Sequence, residues 1–79
     1  MRHKIREVVV KHAGVEAGTL HDSTDLYRAG MTSFSSVALM IALENEFGLE
    51  FPEHMLNRSV FESIDSIAAA IGSLSEATQ

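Results

Sequence analysis

Seven consecutive residues, Val37-Ala38-Leu39-Met40-Ile41-Ala42-Leu43, carry neither charge nor a hydrogen-bonding side chain. No strand-period alternation is visible in the run, and its neighbours extend it at helical spacing. Ser36, Leu39, Met40, Leu43 and Phe47 fall on one helix face at intervals of three and four, and Phe34, Val37 and Ile41 fall on a second. Two apolar stripes on one helix need two things to bury against, and 79 residues supply a single small core. The stripe ending in Phe47 is the better core candidate because it continues into Phe51. That leaves Phe34, Val37 and Ile41 for a partner, unless this helix is the centre of a core that covers both faces.

The start of the helix is as informative as its length. Thr32 is suited to the N-cap and Gly48 to the position past the end, so the spacing predicts a helix from about Ser33 to Phe47. Ser33 then sits in the first turn, where backbone N–H groups lack partners and the helix carries a partial positive charge that favours phosphate. Serine at such a place is ordinarily a cap, but Thr32 already fills that role. Ser35 and Ser36 are read as ordinary first-turn residues, Ser35 exposed and Ser36 near the core.

The remaining pattern is helical throughout. A first helix over about residues 2–13 places Ile5, Val8, Val9 and His12 on one stripe and stops at Gly14. Residues 14–31 form a long connection, which Leu26 and Tyr27 should anchor through a short turn capped by Ser23 or Thr24. Leu49 to Pro52 is a loop with Phe51 turned inward and Pro52 at the first position of a short helix over Glu53–Asn57. Arg58 to Glu62 links onward, with Val60 and Phe61 as anchors, to a last helix capped by Ser63 and packed through Ile64, Ile67, Ala68, Ile71 and Leu74. The expected fold is all-α: a small four-helix bundle of three longer helices and one short helix, with a long first loop. Its domain should cover residues 1–74, followed by a mobile tail over 75–79.

Composition excludes several classes. There is no cysteine, hence no disulfide, thiolate metal site or cysteine nucleophile. No apolar run approaches the ~20 residues of a membrane span, and the first residues turn polar too early for a signal peptide. A cytoplasmic monomer is expected. Arg2, Lys4, Arg6 and Lys11 against Glu7 leave residues 1–12 at +3, while Arg28 and Arg58 against ten acids leave the remainder at −8. The acidic body argues against nucleic acid, and the basic cluster, lacking an aromatic to stack on a base, is read as a solvated helix face. Glu44, Glu46 and Glu50 are read as solvated too, or as a face for a basic partner. His3, His12, His21 and His54 lack ligand spacing, and nothing supplies the oxyanion pocket of a Ser–His hydrolase.

Gly30-Met31-Thr32-Ser33-Phe34 at the head of the second helix, Glu44-Asn45-Glu46-Phe47-Gly48-Leu49-Glu50-Phe51-Pro52 after it, and a closing Ser-Ile-x-x-Ile-Ala helix stand in one order. The chain thereby resembles the acyl and peptidyl carrier proteins from about Ile5 to Leu74. The resemblance implies that Ser33, in the place of the serine of that family's Asp-Ser-Leu triplet, receives 4′-phosphopantetheine from coenzyme A through a phosphopantetheinyl transferase. It also implies a shuttle and not an enzyme, with no metal of its own. Thr32 departs from the family's acid, Phe34 from its small aliphatic, and Ala38 from the glutamate of many fatty-acid carriers. With Phe51 to Arg58, these departures make the chain most similar to stand-alone aminoacyl carriers. Those are served by amino acid:carrier protein ligases that resemble seryl-tRNA synthetases, and they pass their cargo to a downstream acceptor enzyme. Thr32, Phe34, Val37, Ile41, Glu44 and Met55 form the candidate partner face. A carrier of fatty or polyketide acyl chains and an unmodified helical adaptor are the alternatives.

Overall fold

The computed structural model describes residues 2–77. Four helices follow one another: α1 over Arg2–His12, α2 over Ser33–Phe47, α3 over Arg58–Phe61 and α4 over Ile64–Ala77. Short 3₁₀ turns at Ala17–Thr19 and Glu53–Met55 punctuate the two loops. Among the described residues no strand occurs, and no helix is long and apolar enough to cross a membrane.

Helix α1 is the layer between the other long helices, packing on both α2 and α4, while α3 packs on α4. Its Ile5, Val8 and Val9 are buried in one cluster with Leu39 and Leu43 of α2 and Ile64, Ile67, Ala68 and Ile71 of α4. His12, expected on the same stripe, is exposed. The adjacent Ala13 takes the buried place at the helix end, its N–H donating to the Val9 carbonyl. From α2, Leu39 and Leu43 are fully enclosed, and Met40 and Phe47 lie half-buried against the same cluster. Phe51 and Phe61 meet edge to face with ring centres 5.1 Å apart, the offset geometry that suits two aromatic quadrupoles. They close the core beneath α3.

The ends of α2 are where the sequence places them. Thr32 is extended, at φ −98° and ψ 172°, and its hydroxyl accepts the Ser35 N–H. Gly48 ends the helix in the left-handed region at φ 62°, its N–H donating to the Glu44 carbonyl.

The long first loop is more ordered than its length suggests. Leu26 is fully buried, as expected, and so nearly are Val15, Leu20 and Met31. The turn that carries Leu26 and Tyr27 is held by Asp25, whose Oδ1 accepts from the N–H groups of Tyr27 and Arg28. This corrects the assignment of that cap to Ser23 or Thr24. Thr24 instead closes the preceding turn, accepting from the His21 N–H at 2.9 Å. The N-terminal cations are not simply a solvated face either. Arg6 reaches both the Leu20 carbonyl (2.6 Å) and Asp22 (2.8 Å), and Arg2 pairs with Asp22 and Asp65. Backbone bonds from Leu26 N–H to the Glu62 carbonyl and from Asp65 N–H to the Asp22 carbonyl complete the seam. Lys4 bridges Glu46 of α2 at 3.1 Å and Glu7 at 3.4 Å. The hydrogen bond to Glu46, then that to Glu7, raises its pKa above the usual lysine value.

The short helix lies later than the residue pattern indicated. Residues Glu53–Met55 make only a 3₁₀ turn, with Pro52 just ahead of it, and the α-helical turn is Arg58–Phe61. Asn57 decides the matter. Its side chain accepts the Val60 N–H at 3.2 Å and so starts a new helix where a linker was expected. Ser63 caps α4, its Oγ accepting from the Ser66 N–H at 3.1 Å. The helix continues through Ser75, Glu76 and Ala77, past the expected end at Leu74. The last two residues of the expected tail lie outside the described residues.

Two measurements separate the faces and the cap of α2. Leu43→Ala should lose about 2–5 kcal/mol in denaturant unfolding, the usual cost of truncating an enclosed aliphatic. Val37→Ser should stay within about 0.5 kcal/mol of the parent chain. Equal losses would mean that the two stripes are assigned the wrong way round. Thr32→Ala should cost about 1 kcal/mol for the lost cap, and an unchanged thermal melt would mean that the helix begins elsewhere.

Candidate functional site

Gly30 sets the site up. Its φ of 122° is open to glycine and strained for other residues. It lets the chain turn back so that Met31 is buried and its N–H meets the Leu26 carbonyl at 2.9 Å. With Met31 fixed below, Thr32 and Ser33 emerge on the surface at the head of α2.

The three first-turn serines have different fates. The Ser36 hydroxyl donates back to the Ser33 carbonyl at 2.8 Å. The Ser35 hydroxyl is bonded to that of Thr32 at 3.1 Å, and Ser35 is half-buried rather than exposed. Among the described residues nothing bonds the Ser33 hydroxyl, and Ser33 is exposed. Of the three, Ser33 alone offers a free nucleophilic oxygen at the positive end of a 15-residue helix whose first turn contains no acid. An exposed, unengaged hydroxyl there fits a covalently attached phosphate group. Such a phosphate would meet the unpaired N–H groups of the first turn.

Beside Ser33 the surface dips into a groove of about 420 Å³ between α2 and the Leu56–Phe61 segment. Ser33, Ser36, Val37 and Met40 form one wall, with Leu56, Asn57, Arg58, Phe61 and Tyr27 opposite. A larger concavity lies at the other end of α2, around Asn45, Gly48 and Glu50, away from the serine.

The residues expected to face a partner divide. Phe34 is 92% exposed, Val37 52% and Ile41 49%, so this apolar stripe stands in solvent next to Ser33. Thr32 is exposed beside them. Glu44 is turned inward: its Oε2 accepts the Phe51 N–H at 2.9 Å and ties the loop after α2 to that helix. Met55 is half-buried against the core. Leu56, next to it, is instead 48% exposed and extends the apolar stripe across the groove. Reading Glu53–Asn57 as one helix hid this, because the 3₁₀ turn ends at Met55 and Leu56 leaves it in another direction. Arg58 and Tyr27 were also missed as walls of the groove. They come from distant parts of the chain and meet only after folding, with the guanidinium 4.4 Å from the ring centre. Among the described residues no three His, Cys, Asp or Glu side chains gather into a metal-binding group.

Comparison with known proteins shows the family. Residues 3–71 match the family described as phosphopantetheine attachment site. The chain is 44% identical over 69 residues to the aminoacyl carrier protein of Agrobacterium fabrum, covering 85% of this chain and 83% of that one. It is similar, at TM-score 0.86 and 40% identity, to a chain in the crystal structure of an engineered Bradyrhizobium japonicum glycine:[carrier protein] ligase complexed with carrier protein from Agrobacterium tumefaciens and AMP. That match covers 91% of this chain and 99% of the other. A solution structure of an Agrobacterium tumefaciens protein superposes with TM-score 0.79 at 38% identity, covering 99% of this chain and 96% of that one. With a free serine hydroxyl at the head of α2 and the family pattern running through nearly every helix, the chain belongs to the phosphopantetheine-attachment family of carrier proteins and is a homologue of aminoacyl carriers.

Proposed function

We propose that Ser33 Oγ is the attachment point of 4′-phosphopantetheine and that the protein holds an activated aminoacyl group for partner enzymes. The observation that carries this is the Ser33 hydroxyl, exposed and without an internal partner while Ser35 and Ser36 are engaged. When bound, the group supplies the thiol, and hence the thioester, that a chain without cysteine lacks. Every other part of the task falls to side chains present here. Ser33 offers the oxygen that would attack the pantetheine-side phosphorus of coenzyme A; the pyrophosphate P–O bond breaks, 3′,5′-adenosine diphosphate leaves with the bond's electron pair, and the serine proton goes to a base on the transferase. Thr32 keeps the helix start in place without adding charge, and the first-turn N–H groups receive the phosphate. Phe34, Val37 and Ile41 give partner enzymes an apolar surface next to the attachment point. The protein is thus a substrate and shuttle, not an enzyme, working in the cytoplasm.

An aminoacyl cargo is supported by the likeness to a named aminoacyl carrier and to a chain crystallised with a glycine:[carrier protein] ligase. It is also supported by the interior. Phe51 and Phe61 occupy the space beneath α3, and Leu39 and Leu43 fill the space beneath α2, where a long acyl chain would have to be stored. A small amino acid needs no such store. A ligase forming an aminoacyl adenylate, a phosphopantetheinyl transferase and a downstream acceptor are the partners this requires.

Ser33→Ala should melt within about 0.5 kcal/mol of the parent chain, as exposed positions do. It should gain no mass on treatment with coenzyme A and a broad transferase. Modification of the alanine variant on Ser35 or Ser36 would overturn the assignment. Incubation of the modified protein with ATP, an amino-acid panel and a candidate ligase should load a small amino acid, with the thioester open to solvent. Loading and protected burial of a long acyl chain by an acyl ligase, with no aminoacylation, would favour the acyl carrier instead. Resistance to every transferase would favour the unmodified adaptor.

A further inference from the structure

Beyond residue 12 the chain holds ten acids and two cations, Arg28 and Arg58, and Arg58 lines the groove that also contains Ser33. Three of the four Lys and Arg cations of α1 are otherwise occupied: Arg2, Lys4 and Arg6 pair with carboxylates, and Lys11 lies at the end of α1 outside the groove. Arg58 has no carboxylate partner among the described residues. Its Cζ lies over the Tyr27 ring, 4.4 Å from the centroid, a cation–π contact that holds the guanidinium against the ring, and among the described residues none of its N–H donors is bonded. A planar fork held this way, in a groove within an acidic body, suits a phosphate oxygen pair better than a flexible ammonium would. The groove floor beyond it is mixed, with Met40, Val37, Leu56 and Phe61 next to Ser36 and Asn57. That composition suits a chain of amides and methylenes.

We infer that Arg58, oriented by Tyr27, is a positioning residue that pairs with the phosphodiester on Ser33 and directs the arm into the groove between α2 and α3. The inference rests on Ser33 being the attachment point. It assigns the wall opposite the serine a role that helix-start N–H groups alone do not fill. The phosphate carries its charge between two donors, the head of α2 on one side and the guanidinium on the other. The arm then leaves the protein in a preferred direction, toward Leu56, and not at random over the surface. Tyr27 contributes indirectly, by stacking, so its hydroxyl is not required.

The test uses the intact chain modified with coenzyme A and a transferase. Intact mass, with Ser33→Ala as control, first establishes the attachment. Phosphorus NMR then compares the phosphodiester resonance of the folded protein with that of the same protein unfolded in urea. The folded resonance should be displaced in the parent chain and in Tyr27→Phe, and less so in Arg58→Lys, whose ammonium keeps the charge without the planar fork. In Arg58→Gln it should move well toward the unfolded position, keeping only the part that the head of α2 supplies. The displacement should shrink as salt is raised toward 1 M, where the screening length falls to about 3 Å. A role in packing alone would leave the phosphorus signal of Arg58→Gln where the parent chain has it. A displacement that is unchanged in Arg58→Gln, or that is absent from the parent chain, overturns the inference and leaves the attachment intact. Absence of modification at Ser33 overturns both. Should Arg58→Gln melt lower than the parent, the lysine variant and the salt series carry the same decision.

Discussion

The burial of Leu39 and Leu43 in one cluster with Ile5, Val8 and Val9 is the contact on which the molecule depends. Helix α1 packs on both α2 and α4, so it uses the back of α2 for the core and leaves the front uncovered. At about 25 cal/mol per Å² of apolar surface, enclosing two leucines and their neighbours on one side far outweighs what the exposed stripe loses by standing in water. One helix therefore serves two purposes. Its back holds the fold together, and its front, with Phe34, Val37 and Ile41, is available without disturbing that core.

This arrangement works only if the loop between α1 and α2 delivers Ser33 to the head of α2 in a fixed orientation. That loop is long, and ordering it costs conformational entropy of about 1–2 kcal/mol per residue. Buried Val15, Leu20, Leu26 and Met31 offset much of this cost. The polar seam supplies direction where apolar burial does not. Arg6 on Asp22 and on the Leu20 carbonyl, with the Leu26 bond to the Glu62 carbonyl, selects one path for the loop across α1 and the α3–α4 junction. The pairs are partly exposed, so each contributes modestly to stability. Their effect is to choose among loop paths of similar burial.

What the residues disclosed and what they did not follow the range of the interactions. Helix α2, its Thr32 cap, its Gly48 stop and its two stripes depend on neighbours within four positions, and all are legible in order. Asp25 holding the 25–28 turn is also local, yet Ser23 and Thr24 offered the same chemistry two residues and one residue earlier, so the competitor could not be chosen from type alone. The displaced short helix has a similar origin, since Asn57 is equally a helix residue and a cap until its side chain finds the Val60 N–H. Glu44 bonding to Phe51 and Arg58 stacking on Tyr27 are contacts of the folded state. The first looked like part of an acidic surface and the second like part of a linker. No periodicity marks either.

The charge at the head of α2 has a consequence that joins these levels. The first turn of α2 has no acid, and its cap is the neutral Thr32. Were a carboxylate the cap, a unit negative charge would stand within a turn of any phosphate on Ser33, and at ~4 Å near a protein surface two like charges repel by about 4 kcal/mol. With threonine the N–H bond of the cap is kept and that repulsion is absent, so the helix field acts on the phosphate unopposed. Thr32 also offers no carboxylate to a divalent ion at the head of α2. On the proposed attachment at Ser33, a neutral cap would make the chain a more passive substrate while the arm is being attached and a more favourable seat for its phosphate afterwards.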